Sequence, residues 1–412
     1  MSMSEQFGSD FFVGNRERLR QLFTGTAPIV ITANGLLQRA SDEAYPFHQD
    51  RSFWYLTGIT EPDVTLVMDK GKEYLIVPSR ESVREAFDGA VDTQQLARIS
   101  GIQTVLNDKE GWKQLETRLK KVQHVATLAA NPAYMDAWGI YTNPARATMI
   151  KRMKDINLSL EFLDLRQHLA KMRMVKQSAE IAAIQAAVDI TIDTLKEVTK
   201  PSALAKYGYE NELEADITRG FRRRAAEGHA FEPIVAGGKR ACTLHNVANN
   251  QPLASDELVV LDVGAVVSGY AADITRTVAL GGKPSRRQEQ VFAAVHEVQE
   301  HAFSLLKPGT ILKEYEKQIE QFMGEKLREL GLIKTISKET VRHYYPHATS
   351  HFLGLDVHDV GDYDHPLEPN MVLTVEPGIY IPEEGIGVRI EDDVLITADG
   401  CQNLSGKLPR EL

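Results

Sequence analysis

Two β-rich runs, Glu257–Val267 and Tyr270–Leu280, constrain the fold more than any other part of the sequence, because only Ser268 and Gly269 separate them. A two-residue loop of this type between apolar runs is typical of a β-hairpin. The sequence therefore predicts an antiparallel strand pair in which the residues on either side of the loop face each other.

Two aspartates inside this hairpin are candidate ligands for metal ions. In the predicted register Asp262 lies opposite Thr275, and Asp273 lies two residues before Thr275, so both carboxylates share one face. Diagonal Cα separations of roughly 7–8 Å allow two short acids to converge on ions about 3.5–4 Å apart. Asp262 also interrupts an apolar run, where an uncompensated charge is unfavourable. Two solvent-facing strand acids are the alternative that this segment alone leaves open.

Histidines concentrate in one short segment. Three of the chain's 12 histidines, His347, His351 and His358, lie there beside Gly354 and small polar residues. A single histidine is usually an ordinary core or surface residue, whereas three together favour a functional site.

Two glutamates, Glu376 and Glu391, each lie in or end a β-type apolar run, and a turn at residues 383–385 connects the two runs. Whether both glutamates face one side depends on a strand register in which Pro377 could introduce a bulge. Arg389 precedes Glu391 by two residues, so we expect it to neutralise and orient that carboxylate.

Four strand carboxylates and one imidazole make a hard, oxygen-rich ligand set. Such a set prefers Mn²⁺ or Mg²⁺ and tolerates Co²⁺ and Zn²⁺. Two divalent ions balance four carboxylates, and a bridging hydroxide leaves the site near a charge of about −1. One ion would leave several carboxylates crowded, so the residues favour two.

Composition narrows the classes of protein. The 412 residues contain 47 basic and 57 acidic side chains, a net charge of −10, which disfavours binding to nucleic acid or anionic lipid. Cys242 and Cys401 are the two cysteines, too few for a disulfide framework or a cysteine-based zinc site. No stretch is apolar enough to span a membrane, and the first residues lack the pattern of a secretion signal. We therefore expect a cytoplasmic protein without a membrane partner.

The pattern along the chain predicts an α/β (α+β) protein with two domains, residues 1–165 and 166–412. The predicted strands of the first domain are Pro28–Thr32, Ser52–Leu56, Val64–Met68, Tyr74–Val77 and Val122–Leu128, and its helices are Gly14–Phe23, Gln94–Ser100 and Gly111–Val122. The second domain has predicted helices at Met172–Val198, Asn211–Ala226, Arg286–Leu306 and Leu312–Leu330, and further strands at Phe231–Val235, Met371–Ile381 and Gly387–Thr397.

The motifs together resemble the metallopeptidases with the pita-bread catalytic fold, and within them the aminopeptidase P group, which are Xaa-Pro aminopeptidases. The segments that carry this resemblance are Leu261–Gly264, Ala272–Thr277, His347–Asp359, Leu373–Gly378 and Gly387–Asp393. The run Tyr45–Gly58 is similar to the smaller domain that precedes the catalytic fold in that group. The resemblance covers nearly the whole chain.

The resemblance implies a two-metal centre. Asp273 and Glu391 would bridge both ions, His351 and Glu376 would complete one, and Asp262 would complete the other. A hydroxide that bridges the ions would attack the scissile carbonyl, with Glu376 as the proton acceptor. The substrates would be peptides with proline in second position, and manganese is the expected metal, with Co²⁺, Zn²⁺ or Mg²⁺ as alternatives.

The resemblance also assigns roles around the metals. His245 and His358 match histidines near the substrate, of which His358 would steady the tetrahedral intermediate, and His347 matches one that lines the proline side. A proton-shuttle group is matched by Arg389, Tyr380 and Asp42. Ala348 replaces a glycine that is usual in the family, and its methyl group could narrow the proline pocket.

Two alternatives stay open on the sequence alone. Prolidase, a dipeptidase for Xaa-Pro, has the same fold and ligands. A non-catalytic pita-bread protein that binds peptides or proteins is disfavoured, because all five ligand positions are filled. Relatives are often dimers or tetramers, so the resemblance implies a homo-oligomer.

Overall fold

The computed structural model describes residues 7–80, 82–128, 135 and 138–412. The chain divides into two compact units between Met172 and Arg173. The division falls inside the helix Arg166–Met174. The predicted domain boundary, between residues 165 and 166, lies just before that helix. That boundary stays a prediction.

The first unit is built on a six-stranded mixed sheet. In spatial order its strands are Val105–Asn107, Lys72–Val77, Thr65–Asp69, Ile29–Thr32, His124–Thr127 and Glu161–Asp164. A separate two-stranded pair is formed by Gln38–Ala40 and Glu43–Ala44. The helices are Ser9–Leu22, Arg51–Thr57, Ser82–Asp88, Thr93–Ser100, Asp108–Leu119, Ala145–Ile156 and Arg166–Met174. Buried Trp112 and Leu115 of one helix pack on strand residues Val30, Val67 and Ile76.

One predicted strand of this unit is wrong, because Ser52–Leu56 is helical within Arg51–Thr57. Its aromatic residues favour a strand individually, but the ends of the segment specify a helix. The Asp50 side chain accepts a hydrogen bond from the Phe53 backbone N–H at 2.8 Å. Gly58 then ends the helix with a left-handed φ of 69°.

The second unit packs helices against several small antiparallel sheets. Its strands are Gly228–His229, Ile234–Gly237, Leu258–Val263, Ala265–Val267, Tyr270–Ala271, Ile274–Ala279, Val372–Val375, Gly378–Ile381, Ile386–Arg389, Asp392–Ile396 and Cys401–Asn403. The helices are Ser178–Val198, Pro201–Leu204, Glu210–Arg223, Arg286–Leu305, Leu312–Glu329 and Lys338–Tyr344, with a 3₁₀ turn at Gly238–Cys242. The core forms where Arg286–Leu305 and Leu312–Glu329 cover the last strands. None of the helices in the described ranges combines the length and apolar character that crossing a bilayer requires.

The hairpin predicted around Ser268 and Gly269 is confirmed. Both residues have positive φ, 50° and 79°, as a tight hairpin turn requires. Asp262 pairs with Thr275 in the predicted register. Gly264 separates the two parts of the first strand, and a Cβ atom there would lie 1.7 Å from the Ala272 carbonyl oxygen. Only glycine fits this close approach of the two backbones.

The predicted helix Met172–Val198 is wrong in one respect, because the chain leaves the helix at residues 175–177 and begins a new one at Ser178. Val175 forms a β-bridge with Met371, and the Lys176 N–H donates to the Asn370 carbonyl at 2.9 Å. Glu180 then accepts from the Gln177 N–H at 2.9 Å and caps the second helix. Tertiary strand pairing therefore overrides a continuous helical period.

Candidate metal centre

Two neighbouring strand pairs bring the predicted acids together. Asp262 lies in the strand Leu258–Val263, and Glu391 lies between the strands Ile386–Arg389 and Asp392–Ile396. The Glu391 N–H donates to the Thr275 carbonyl at 3.0 Å, which joins the two strand pairs edge to edge. The acids are therefore positioned by backbone hydrogen bonds rather than by flexible loops.

The ligand atoms of Asp273, His351 and Glu391 all lie within 4.8 Å of one another. The His351 Nε2 atom is 3.5 Å from Asp273 Oδ2 and 3.4 Å from Glu376 Oε1. Asp262, Asp273 and Glu391 are only 8%, 5% and 1% exposed. Four of the five predicted ligands thus meet directly, and Asp262 lies close enough for its charge to raise the pKa of Asp273 and of Glu391.

The electrostatics of this cluster match a cation site. Burial and then the charge of Asp262 raise the pKa of Asp273 well above its usual value. Burial and then the charge of Asp273 raise the pKa of Glu391, and burial and then Glu391 raise that of Glu376. The Oδ1 atoms of Asp262 and Asp273 are buried, and neither has a hydrogen-bond partner within the part of the chain that the structure describes. Crowded carboxylates with unsatisfied oxygens fit divalent cations, which would relieve both.

His351 has the protonation state and orientation of a metal ligand. Burial and then the neighbouring His358 lower its pKa to about 3, so the ring is neutral near pH 7. Its Nδ1–H donates to the Phe352 carbonyl at 3.1 Å, which leaves the Nε2 lone pair facing the acids. A backbone carbonyl behind a ligating imidazole is the usual means of fixing its tautomer.

A hydrogen-bonded chain connects Asp262 to His347. Arg389 donates to Asp262 Oδ2 at 2.6 Å and to the Tyr380 hydroxyl oxygen at 2.8 Å. The Tyr380 hydroxyl lies 2.8 Å from His347 Nε2. His347 Nδ1–H donates to the Ala348 carbonyl at 2.8 Å, so Nε2 accepts the tyrosine proton. Burial and then the Arg389 charge lower the pKa of His347 to about 3, which keeps that ring neutral.

Arg389 is predicted to neutralise and orient Glu391, and its charge does lower the pKa of that carboxyl group against the larger effects that raise it, but its direct contact is with another acid. Its ion pair is with Asp262, and Glu391 accepts from the Thr275 hydroxyl at 2.7 Å instead. Arg389 is the last residue of its strand, and Glu391 lies between strands. The two-residue alternation holds only within one strand, so it does not place these two side chains together.

The remaining predicted residues lie in different surroundings. His358 is exposed, and its ring centroid is 4.3 Å from that of His351. His245 is exposed in the segment after the 3₁₀ turn Gly238–Cys242. Asp42 is exposed in the first unit, in the turn between its two short paired strands.

Sequence reasoning missed three supporting residues. Thr275 donates to Glu391, and Asp393 Oδ2 accepts from the Asp273 backbone N–H at 3.0 Å. Both lie in segments that carry the family resemblance, next to predicted ligands, and this position in the sequence could have identified them. Glu316 accepts from the backbone N–H groups of Thr349 and Ser350 at 2.8 and 3.2 Å. As one charged residue among many on an amphipathic helix, Glu316 gave no such signal.

Comparisons with known proteins agree with this geometry. The model of metallopeptidase family M24 matches residues 182–398, and that of the aminopeptidase P N-terminal domain matches residues 12–127. The chain is 35% identical over 404 residues to the Xaa-Pro aminopeptidase of Haemophilus influenzae, covering 91% of this chain and 89% of that protein. It is 32% identical over 437 residues to the Escherichia coli enzyme of that name, covering 100% and 98%. The solved structure of zinc-substituted E. coli aminopeptidase P with product matches with a TM-score of 0.84 and 30% identity, covering 98% of this chain and 96% of that one.

Proposed function

The chain belongs to metallopeptidase family M24, and from that membership we propose how its buried acids carry out Xaa-Pro aminopeptidase chemistry. The predicted α/β fold with a pita-bread catalytic domain is confirmed, as is the predicted class of enzyme, a metal-dependent hydrolase. Relatives along nearly the whole chain are Xaa-Pro aminopeptidases, so the reaction is release of the first residue from peptides with proline second. Prolidase and a non-catalytic binding protein are not favoured.

The proposed cofactor is a pair of divalent ions, manganese first, with Co²⁺, Zn²⁺ or Mg²⁺ as alternatives. Asp273 and Glu391 would contact both ions, His351 and Glu376 would complete one, and Asp262 would complete the other. The observation that carries this proposal is the meeting of one neutral imidazole with crowded carboxylates, in which one buried oxygen each of Asp262 and Asp273 lacks a hydrogen-bond partner among the described residues. Bound ions of this kind polarise a carbonyl and make water a nucleophile near neutral pH.

The chain's own residues would bind and orient the peptide. An Xaa-Pro bond has no N–H on its proline side and a fixed φ, so the hydrogen-bonded extended pose of most protease substrates is not available. The acidic cluster instead attracts the cationic N-terminus of the peptide. His245 and His358, both exposed, would contact the substrate, and His347 would line the proline side. The methyl group of Ala348 would narrow that side.

Proton transfer would use groups that are already hydrogen-bonded. Glu376, whose Oε1 atom lies 3.4 Å from His351 Nε2, would accept a proton during attack on the carbonyl. A proton relay at the edge of the cluster would use the hydrogen-bonded chain from Asp262 through Arg389 and Tyr380 to His347. The part of Asp42 in this relay stays a prediction, together with a dimeric or tetrameric assembly and a cytoplasmic location.

A kinetic panel tests this proposal. Protein freed of metal and then loaded with Mn²⁺ is assayed on Xaa-Pro-Yaa, Xaa-Pro and Xaa-Ala-Yaa peptides, with Co²⁺, Zn²⁺ and Mg²⁺ in parallel. We expect turnover of Xaa-Pro-Yaa above the other two classes, and activity confined to dipeptides would reverse the choice against prolidase. Glu391→Gln should be inactive on every peptide. Glu383→Gln, the same substitution at an exposed residue of the neighbouring turn, is the matched control.

A further inference from the structure

A second buried ionic cluster lies at the far end of the histidine segment. The Asp359 side chain is 1% exposed and accepts a hydrogen bond from Lys176 Nζ at 3.2 Å and a close one from Arg173. The two cationic side chains are themselves 0% and 3% exposed. Arg173 also donates to Asp356 Oδ2 at 2.8 Å. The activity described above uses none of these groups.

The chain around this carboxylate is folded to receive it. A Cβ atom on Gly354 would lie 2.1 Å from Asp359 Oδ2 and 3.1 Å from Lys176 Cε, so only glycine leaves room for the ion pair. The Asp359 backbone N–H donates to the Phe352 carbonyl at 2.8 Å, which closes the loop on itself. The Ala271 N–H donates to the Gly354 carbonyl at 2.9 Å and ties the loop to the hairpin that carries two of the metal-binding acids.

His358 directly precedes Asp359 in this loop. Its ring lies against His351 at 4.3 Å between centroids, with the planes at 70°. Among the residues that the structure describes, none forms a hydrogen bond to the His358 imidazole. The direction of this exposed ring is therefore set by its backbone and by contact with His351, and the backbone is held one residue away by Asp359.

We infer that Arg173, Lys176 and Asp359 are positioning residues that hold the His358 ring beside the metal-binding His351. The inference rests on the proposed function, which places His358 against the substrate. A misplacement of about 1 Å at a substrate-contacting group reduces turnover on the order of a hundredfold, so a rigid ionic anchor next to His358 has a direct consequence for catalysis.

A double-mutant cycle separates positioning from a general structural role. In Asp359→Asn we expect kcat for Xaa-Pro-Yaa to fall about 10- to 100-fold, with KM changed less than about twofold and the metal content retained. In the His358→Ala background the same substitution should reduce kcat less than about twofold further, because the group it positions is already absent. An equal loss in both backgrounds, or loss of metal in Asp359→Asn, would overturn the inference.

Two further variants keep the test decisive if Asp359→Asn does not fold. Lys176→Met removes one of the two cations at similar volume and should reduce kcat in the same direction by a smaller factor, again only when His358 is present. Asp356→Asn is the matched control, since it removes a carboxylate from the same loop and the same arginine at a side chain that is 42% exposed. We expect kcat of the control to stay within about twofold of the parent.

A structural readout makes the inference independent of the substrate. In crystals of Asp359→Asn or Lys176→Met we expect the His358 ring to leave its 4.3 Å contact with His351, whereas in Asp356→Asn the contact should remain. If the His358 ring keeps this contact in both Asp359→Asn and Lys176→Met, the positioning role is overturned. If the parent protein cleaves no Xaa-Pro peptide, the proposed function fails, and this crystallographic comparison still decides the question of positioning.

Discussion

Two clusters of buried carboxylates in the second unit differ in how their charge is balanced. At Asp359, burial opposes ionisation, but the charges of Arg173 and Lys176 outweigh it and lower the pKa of the carboxyl group. At Asp273, burial and the charge of Asp262 both raise the pKa, and no described residue forms a hydrogen bond to one of its carboxylate oxygens. The first cluster is complete within the protein, whereas the second fits cations that the chain itself does not provide.

This difference separates an acid whose charge the protein itself balances from the acids that we propose as metal ligands. Burial alone does not distinguish them, because both groups are nearly inaccessible to solvent. Of the residues that the structure describes, two buried cations contact Asp359, whereas one, Arg389, contacts the group of four acids around His351. Glu391→Gln changes the group of acids around His351, and Asp359→Asn changes the carboxylate that Arg173 and Lys176 balance.

The largest expected effect is that of Glu391→Gln. Because this carboxylate would contact both ions, its loss should weaken the binding of both ions and reduce kcat on the order of a thousandfold or more. Elemental analysis and kinetics on the same Mn²⁺-loaded sample measure the two effects together. Full metal content in an inactive variant would contradict the role of Glu391 as a shared ligand, and Glu383→Gln should behave as the parent.

The next largest effect is a loss of stability at the cluster formed by Asp359, Arg173 and Lys176. Asp359→Asn leaves Arg173 and Lys176 buried without their carboxylate, so we expect the free energy of unfolding to fall by about 3–5 kcal/mol. Denaturant titration of the metal-free protein measures this change. Asp356→Asn, at the exposed end of the same cluster, should change it by less than about 1 kcal/mol, and equal losses in the two variants would contradict the comparison.

A smaller effect is expected for His358→Ala, which lies between the two clusters. Loss of a group that steadies the transition state should reduce kcat about a hundredfold, while the metal ligands stay in place. Kinetics combined with elemental analysis separate it from Glu391→Gln. If both variants lose metal equally, His358 is a ligand and its assigned role is wrong.

The smallest expected effect is a change in the free energy of unfolding of opposite sign to that of Asp359→Asn. Without metal, Glu391→Gln removes one of several crowded charges, and its amide oxygen can still accept from Thr275. We therefore expect the free energy of unfolding of the metal-free protein to rise by about 1 kcal/mol. A decrease as large as that of Asp359→Asn would show that the acids around His351 are not mutually repulsive.

Local rules were sufficient for the parts of the site that lie within one hairpin. The Ser268-Gly269 turn sets the pairing, and this places Asp262 opposite Thr275 as the sequence predicts.

The strand predicted at Ser52–Leu56 is wrong because its aromatic residues favour a strand, while Asp50 before it and Gly58 after it specify a helix.

Contacts between distant segments could not be predicted in this way. Arg389 bonds to Asp262, 127 residues away, and Asp359 bonds to Lys176, 183 residues away. No turn or period fixes such pairings, which depend on how strand pairs and helices pack. The sequence pattern nominates the four acids and three histidines, and the family resemblance adds the choice of His351 and the division of the predicted ligands between two ions. How closely these side chains approach one another is visible only in the tertiary structure.

Anomalous diffraction from a crystal of the Mn²⁺-loaded protein tests the central assignment most directly. We expect two manganese peaks about 3.5–4 Å apart, with Asp273 and Glu391 in contact with both and Asp262 in contact with only one. A single peak, or peaks remote from His351, would contradict a two-metal centre built from these five side chains.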